Sequence, residues 1–177
     1  MDDKDLIEKY LNWEESAIET LLEKHLQSIY NVCFNICLNK QDADDISQEV
    51  CYKIIKYLHT FNFKSQFKTW IYKISYNEAI SFVQKNKNIY SIEENYDYQE
   101  KENSFDKEFI SNLVSNEVNK LGQIDRSIIE MFYYEELKIT EISEITGLSE
   151  SNVKVRLHRS RDILKTKLEK YDIQNLL

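Results

Sequence analysis

ITEISEITGLSESNVKVRLHRSRDILK, residues Ile139–Lys165, reads as two helices joined by a tight turn. Ile139, Ile142 and Ile145 share one face of a first helix over Thr140–Thr146, and Thr140 is its expected N-cap. Gly147 follows, one of 2 glycines in the chain, where a helix C-terminus needs positive φ. Ser149 can cap the next helix. There Val153, Leu157, Ser160 and Leu164 keep the three- and four-residue spacing of a buried face. Ser151, Asn152, Lys154, Val155, His158 and Arg159 are then left for the opposite face, with Arg156, Arg161 and Lys165 adding charge. This is a helix-turn-helix pattern with a basic second helix. Three of the chain's four arginines lie in that helix. The rigid donor fork of arginine suits phosphates and guanine edges. A basic but merely solvated surface helix would not require the caps and glycine turn that coincide here.

The remainder of the 177 residues points to an all-α protein. There is no proline and almost no glycine, which favours helices over hairpins. No apolar run approaches a membrane span. The acidic, amphipathic start MDDKDLIEKY does not read as a signal peptide, so a cytoplasmic location is expected. Cys33, Cys37 and Cys51 form an odd set without framework spacing and are expected as reduced core residues. His25, His59 and His158 are scattered, so neither a metal site nor a cofactor is expected.

Net charge is −8, which looks wrong for a nucleic-acid binder until it is divided along the chain. Residues 1–90 carry 11 basic and 13 acidic side chains, residues 91–111 carry 2 and 7, and residues 112–177 carry 10 and 11. Within 152–170 the count is 7 against 2, so the candidate DNA helix is locally basic. The acidic, aperiodic stretch 88–105 reads as a linker between two domains, 1–87 and 106–177.

In the first domain, Leu6, Ile7, Tyr10 and Leu11 start a short helix, and a longer one runs from Glu14 to about Leu38. A third begins near Asp42, with acidic residues placed to complement the helix dipole and a stripe of Ile46, Val50, Ile54 and Leu58. The connection Phe61–Phe67 holds three aromatics, and a fourth helix runs from Lys68 to about Lys85. Aromatics near Lys68, Lys73, Lys85 and Lys87 could stack unpaired bases while holding a phosphate backbone, or could be core. Core is the expectation for Phe67 and Trp70, and Phe61 and Phe63 are open. In the second domain, Leu113, Val118 and Leu121 lead to a turn at Gly122, then Ile124, Ile128, Ile129, Met131 and Phe132.

Together these residues resemble the extracytoplasmic-function (ECF) sigma factors, two-domain promoter-recognition subunits of bacterial RNA polymerase. Asp42–Val50, DADDISQEV, is similar to that family's polymerase-docking helix; Phe67–Ile74, FKTWIYKI, followed by Asn77, is similar to its F-x-T-W segment; Glu141–Glu144 and Val153–Arg161 are similar to its helix-turn-helix. The resemblance implies that Asp42, Asp45, Gln48 and Glu49 dock on the clamp helices of the largest polymerase subunit. It implies that Phe61, Phe63, Lys64, Lys73 and Asn77 act on a flipped base of the minus-ten element. It places Ser151, Asn152, Lys154, Val155, His158 and Arg159 in the major groove of the minus-thirty-five element, with Arg156, Arg161 and Lys165 on the DNA backbone. Core polymerase (clamp helices and flap), promoter DNA and an anti-sigma factor are the implied partners. The linker is implied to thread toward the RNA path, and no reaction is catalysed by the subunit itself.

The chain departs from the family in three places. Leu121-Gly122 stands where the family has Leu-Pro, Val155 replaces a small polar residue, and Gln84-Lys85-Asn86-Lys87 replaces an arginine-rich run. A helix-turn-helix regulator acting without polymerase is the alternative, but it leaves the Asp42–Val50 helix and the aromatic connection unexplained. An enzyme using Asp44, Asp45 and Glu49 is disfavoured, because carboxylates at a helix start are commonly dipole partners.

Overall fold

A computed structural model describes residues 1–86 and 106–171, the backbone alone for 106–110. The expected linker, 88–105, therefore lies outside the described residues. All regular structure among the described residues is helical: α1 (Asp3–Leu11), α2 (Ser16–Cys37), α3 (Lys40–Tyr57), α4 (Phe67–Lys85), α5 (Asp106–Asn119), α6 (Gln123–Tyr133), α7 (Ile139–Thr146) and α8 (Glu150–Leu168). Short 3-10 turns follow α3 (Leu58–Thr60) and α8 (Glu169–Tyr171). None of the described helices is long and apolar enough to cross a membrane.

The first compact unit holds α1–α4. Asp2 and Asp5 close a capping box at the start of α1, with the Asp5 N–H donating to Asp2 Oδ1 at 2.8 Å. Leu38 ends α2 in the left-handed region at φ 55°, its N–H donating to the Phe34 carbonyl. Asn39 then accepts from the Asp42 N–H at 3.1 Å, so α3 begins at Lys40, two residues before the sequence expectation. α4 packs on both α2 and α3, and α1 packs on α2. Leu6, Ile7, Leu21, Ile29, Ile54, Leu58, Ile71 and Tyr72 are fully buried there. At about 1.5–3 kcal/mol for each large apolar side chain, this burial is what opposes chain entropy.

α1 has a polar tie as well. Asp3 reaches Lys24 at 2.6 Å and the buried His25 at 3.0 Å on α2. Burial alone would raise the Asp3 carboxyl, but Lys24 and His25 outweigh it and hold it below its ordinary value.

In the second unit, α8 packs against α6 and α5. Ile128, Met131, Val153, Leu157 and Ser160 are buried, as the helical spacing predicts, while Leu164 is half-buried. Thr140 is not the cap of α7. The Glu141 carboxylate reaches back to accept from the Lys138 N–H at 2.9 Å, which puts the helix start one residue earlier. The turn into α8 follows its expected chemistry: Gly147 has φ 72°, Ser143 Oγ donates to the Leu148 carbonyl at 2.6 Å, and Ser149 accepts from the Asn152 N–H.

The two glycines are not equivalent. Gly122 has φ −57°, open to any residue, and a Cβ there would meet nothing nearer than Asp125 Oδ2 at 4.0 Å. The turn it occupies is held instead by buried Arg126, whose Nη1 donates to the carbonyls of Asn119 and Leu121. Urea unfolding should therefore separate the two positions. Gly122→Ala, at the N-cap of α6, should change stability by no more than about 0.5 kcal/mol, because restriction of the unfolded chain offsets the poorer cap. Gly147→Ala should destabilise by about 1–2 kcal/mol through its left-handed backbone.

Candidate protein and nucleic-acid interfaces

On α8 the buried stripe leaves Ser151, Asn152, Lys154, Val155, His158 and Arg159 exposed, the set expected from the sequence. Val155 is 47% exposed, an apolar group offered to solvent beside cations. It can meet a thymine methyl but cannot read a base by hydrogen bonding. Local carboxylates temper the charge: Glu150 stands 4.0 Å from Lys154, and Asp162 Oδ2 is 2.8 Å from His158 Nδ1. Arg159 has no ion pair among the described residues, so its fork of donors is available.

Arg156, expected on a DNA backbone, is half-buried and has partners within the chain. Its Nη1 is 2.6 Å from Asp125 Oδ1 on α6, and its Nε donates to Asn152 Oδ1 at 3.1 Å. With its partner half-buried, this arginine ties the basic helix to α6. Arg161 and Lys165 are exposed near the C-terminal half of α8. They flank an apolar groove of about 370 Å³ lined by Val114, Val118, Ile129, Tyr133, Tyr134, Leu164 and Leu168.

On α3, Asp45, Gln48 and Glu49 are exposed on one face and Asp42 is half-buried. The same face continues through Tyr52, which is 58% exposed, and the exposed Ile55; Tyr57 is exposed at the end of the helix, and the Lys56 ammonium lies 5.8 Å and 5.4 Å from the Tyr52 and Tyr57 rings. The signal for Tyr52 was available, since it falls three and four residues beyond Glu49 and Gln48.

The aromatic connection divides between core and surface. Phe61, left open between core and base contact, is only 7% exposed and packs edge-on against Phe67 at 5.4 Å. Burial against two aromatics is worth more to Phe61 than solvent contact. Phe67 is buried as expected, and Trp70 is half-buried, stacked on Phe67 at 5.7 Å. Phe63 stays exposed at 45%, with φ 58°, its ring 4.9 Å from that of Phe61. Lys64, Lys73 and Asn77 are exposed, and Trp70, Lys73 and Asn77 follow at helical spacing along one side of α4. Phe63 and Trp70 both lie against Phe61, so the exposed aromatic borders the side of α4 that carries Lys73 and Asn77.

Cys33 and Cys37 are buried, Cys51 is half-buried, and none of the three forms a disulfide among the described residues. Burial pushes the Cys33 thiol up to about 12, so it is a packing group.

Comparison with known proteins adds an independent line. Residues 21–89 match the family described as Sigma-70 region 2, and residues 111–164 match Sigma-70, region 4. The chain is 29% identical to the RNA polymerase sigma factor SigV of Bacillus subtilis, over 90% of this chain and 95% of that one. It is 26% identical to the ECF RNA polymerase sigma factor SigW of the same organism, over 93% and 96%. Among solved structures, the sigma factor RpoE in complex with the anti-sigma factor NepR from Bartonella quintana has TM-score 0.69 at 18% identity, covering 85% of this chain and 96% of that one. CnrH in complex with the cytosolic domain of CnrY has TM-score 0.69 at 18% identity, covering 95% and 97%.

The two arginines of α8 should separate in an unfolding experiment. Arg156→Met should lower stability by about 1–2 kcal/mol, discounted because the pair with Asp125 is one-third exposed. Arg159→Ala should stay within about 0.5 kcal/mol of the parent.

Proposed function

Since the chain belongs to the extracytoplasmic-function sigma factors of bacterial RNA polymerase, which direct core polymerase to promoters and start transcription, we propose which of its surfaces carries each part of that work. Asp45, Gln48 and Glu49, flanked by Asp42 and extended by Tyr52, meet the clamp helices of the largest polymerase subunit. Carboxylates supply the charge of that contact and Tyr52 supplies apolar area with a polar tip. Phe63, Lys64, Lys73 and Asn77 receive the unpaired minus-ten strand: Phe63 offers a stacking surface, the lysines neutralise phosphate, and the Asn77 amide reads a base edge. Ser151, Asn152, Lys154, Val155, His158 and Arg159 enter the major groove of the minus-thirty-five element. Arg161 and Lys165 meet the flanking backbone, while Arg156 sets the angle of α8 through Asp125.

The observation that carries this reading is the exposed Asp45–Gln48–Glu49 face of α3 with its adjoining aromatics. A regulator that binds DNA alone has no use for a carboxylate-rich face on its other domain. The apolar groove between α5, α6 and α8 is the proposed seat of the polymerase flap, because its floor is apolar and two cations flank it. An anti-sigma factor is a further proposed partner, since RpoE was solved with one. We place the protein in the cytoplasm with the polymerase and assign it no reaction of its own; its contribution is binding energy.

Run-off transcription with purified core polymerase on a library of promoter fragments tests the role. The protein should produce transcripts from defined starts that share two spaced motifs, and absence of protein-dependent transcripts from active core enzyme would contradict it. Asp45→Lys or Glu49→Lys should weaken core binding by roughly 1–3 kcal/mol through like-sign juxtaposition, without altering the circular-dichroism spectrum. Unchanged core affinity would remove the docking assignment.

A further inference from the structure

Lys53 lies on α3 one turn beyond Glu49. Its ammonium stands 4.0 Å from the Glu49 carboxylate and forms an ion pair with Glu78 on α4. Both partners of the longer-range pair are half-buried, at 32% and 24% side-chain exposure, so solvent screens it less than a surface bridge. The hydrogen bond to Glu78 raises the Lys53 ammonium above its ordinary value, which keeps it charged.

Glu78 is the residue after Asn77, so the two side chains leave α4 roughly 100° apart around its axis. A tie at Glu78 therefore sets the rotation of α4 and the direction of Asn77. Ile71, Tyr72 and Tyr76 anchor α4 by burial, and the pair with Glu78 adds the polar link from α3 at the turn that carries Asn77.

We propose that Lys53 is a positioning residue for promoter melting: by gripping Glu78 it holds the Asn77 side of α4 in fixed orientation to the docking face of α3. The polymerase contact and the base contact then move as one rigid body. This inference rests on the roles proposed above for those two faces.

The test compares Lys53→Met, Glu78→Gln, the double variant and Lys53→Arg with Asn77→Ala. Each is assembled with core polymerase on a promoter recovered from the transcription library. Two quantities are read: affinity for core enzyme, and permanganate reactivity of melted thymines at saturating core enzyme. Lys53→Met and Glu78→Gln should each lower melting by about tenfold while core affinity stays within about twofold. The double variant should lose no more than either single, because both remove the same interaction. Lys53→Arg, which keeps the ion pair, should retain melting within about threefold. Wild-type melting in Lys53→Met, additive losses in the double variant, or a parallel fall in core affinity would each overturn the proposal. The last is what a pair that merely stabilises the bundle would give. Asn77→Ala keeps this separate from its premise. Wild-type melting in that variant removes the base-holding role of α4, whereas impaired melting there with normal melting in Lys53→Met removes only the role of Lys53.

Discussion

The burial of α4 against both α2 and α3 is the contact on which the first unit depends. Tyr72 and Ile71 are fully enclosed, and Phe67 and Tyr76 are nearly so. A helix committed to the core on this scale has little surface left, and what remains is the side carrying Trp70, Lys73 and Asn77. The same packing turns α3 so that Ile46, Val50 and Ile54 face inward and Asp45, Gln48 and Glu49 face out. The two faces proposed to dock polymerase and hold the base are thus by-products of one hydrophobic constraint. Close packing sets their orientation, and the Lys53–Glu78 pair adds a polar tie between α3 and α4. The Phe61–Phe67 contact extends that core to the base of the exposed Phe63.

Charge follows a complementary logic. A net charge of −8 opposes non-specific attachment to nucleic acid, because the long-range field repels phosphate. The basic α8 acts at short range, where contact geometry decides. Its cations are partly balanced by Glu150 and Asp162 on the same helix, so net attraction along the helix is modest and sequence must come from fit. Arg156 is also paired within the unit: its contact with Asp125 links α8 to α6.

Much of this was legible in the sequence, for identifiable reasons. Helical periodicity placed Val153, Leu157 and Ser160 inside, and Gly147 and Ser149 marked the turn, because these are local rules of spacing and capping. Local rules also fail where two acceptable solutions compete: Thr140 was a sound cap, but Glu141 reaching back to Lys138 displaced it. The spacing of Leu26 reads as apolar stripe, yet it is exposed, since a helix of 22 residues offers more apolar positions than its neighbours cover. What periodicity cannot supply is pairing across long separations. Arg156 with Asp125, Lys53 with Glu78 and His25 with Asp3 join residues from different helices. Phe61 is the intermediate case, an aromatic in a connection whose burial depends on where Phe67 and Trp70 point.

The central claim is that this chain works as a polymerase subunit whose docking face and base face belong to one rigid bundle. Its most direct test is size-exclusion chromatography of the purified protein mixed with bacterial core RNA polymerase in the absence of DNA. The account predicts a one-to-one complex that elutes with the core enzyme and is disrupted by Glu49→Lys. Free elution of the wild-type protein, with the same core preparation binding another sigma factor, would contradict it.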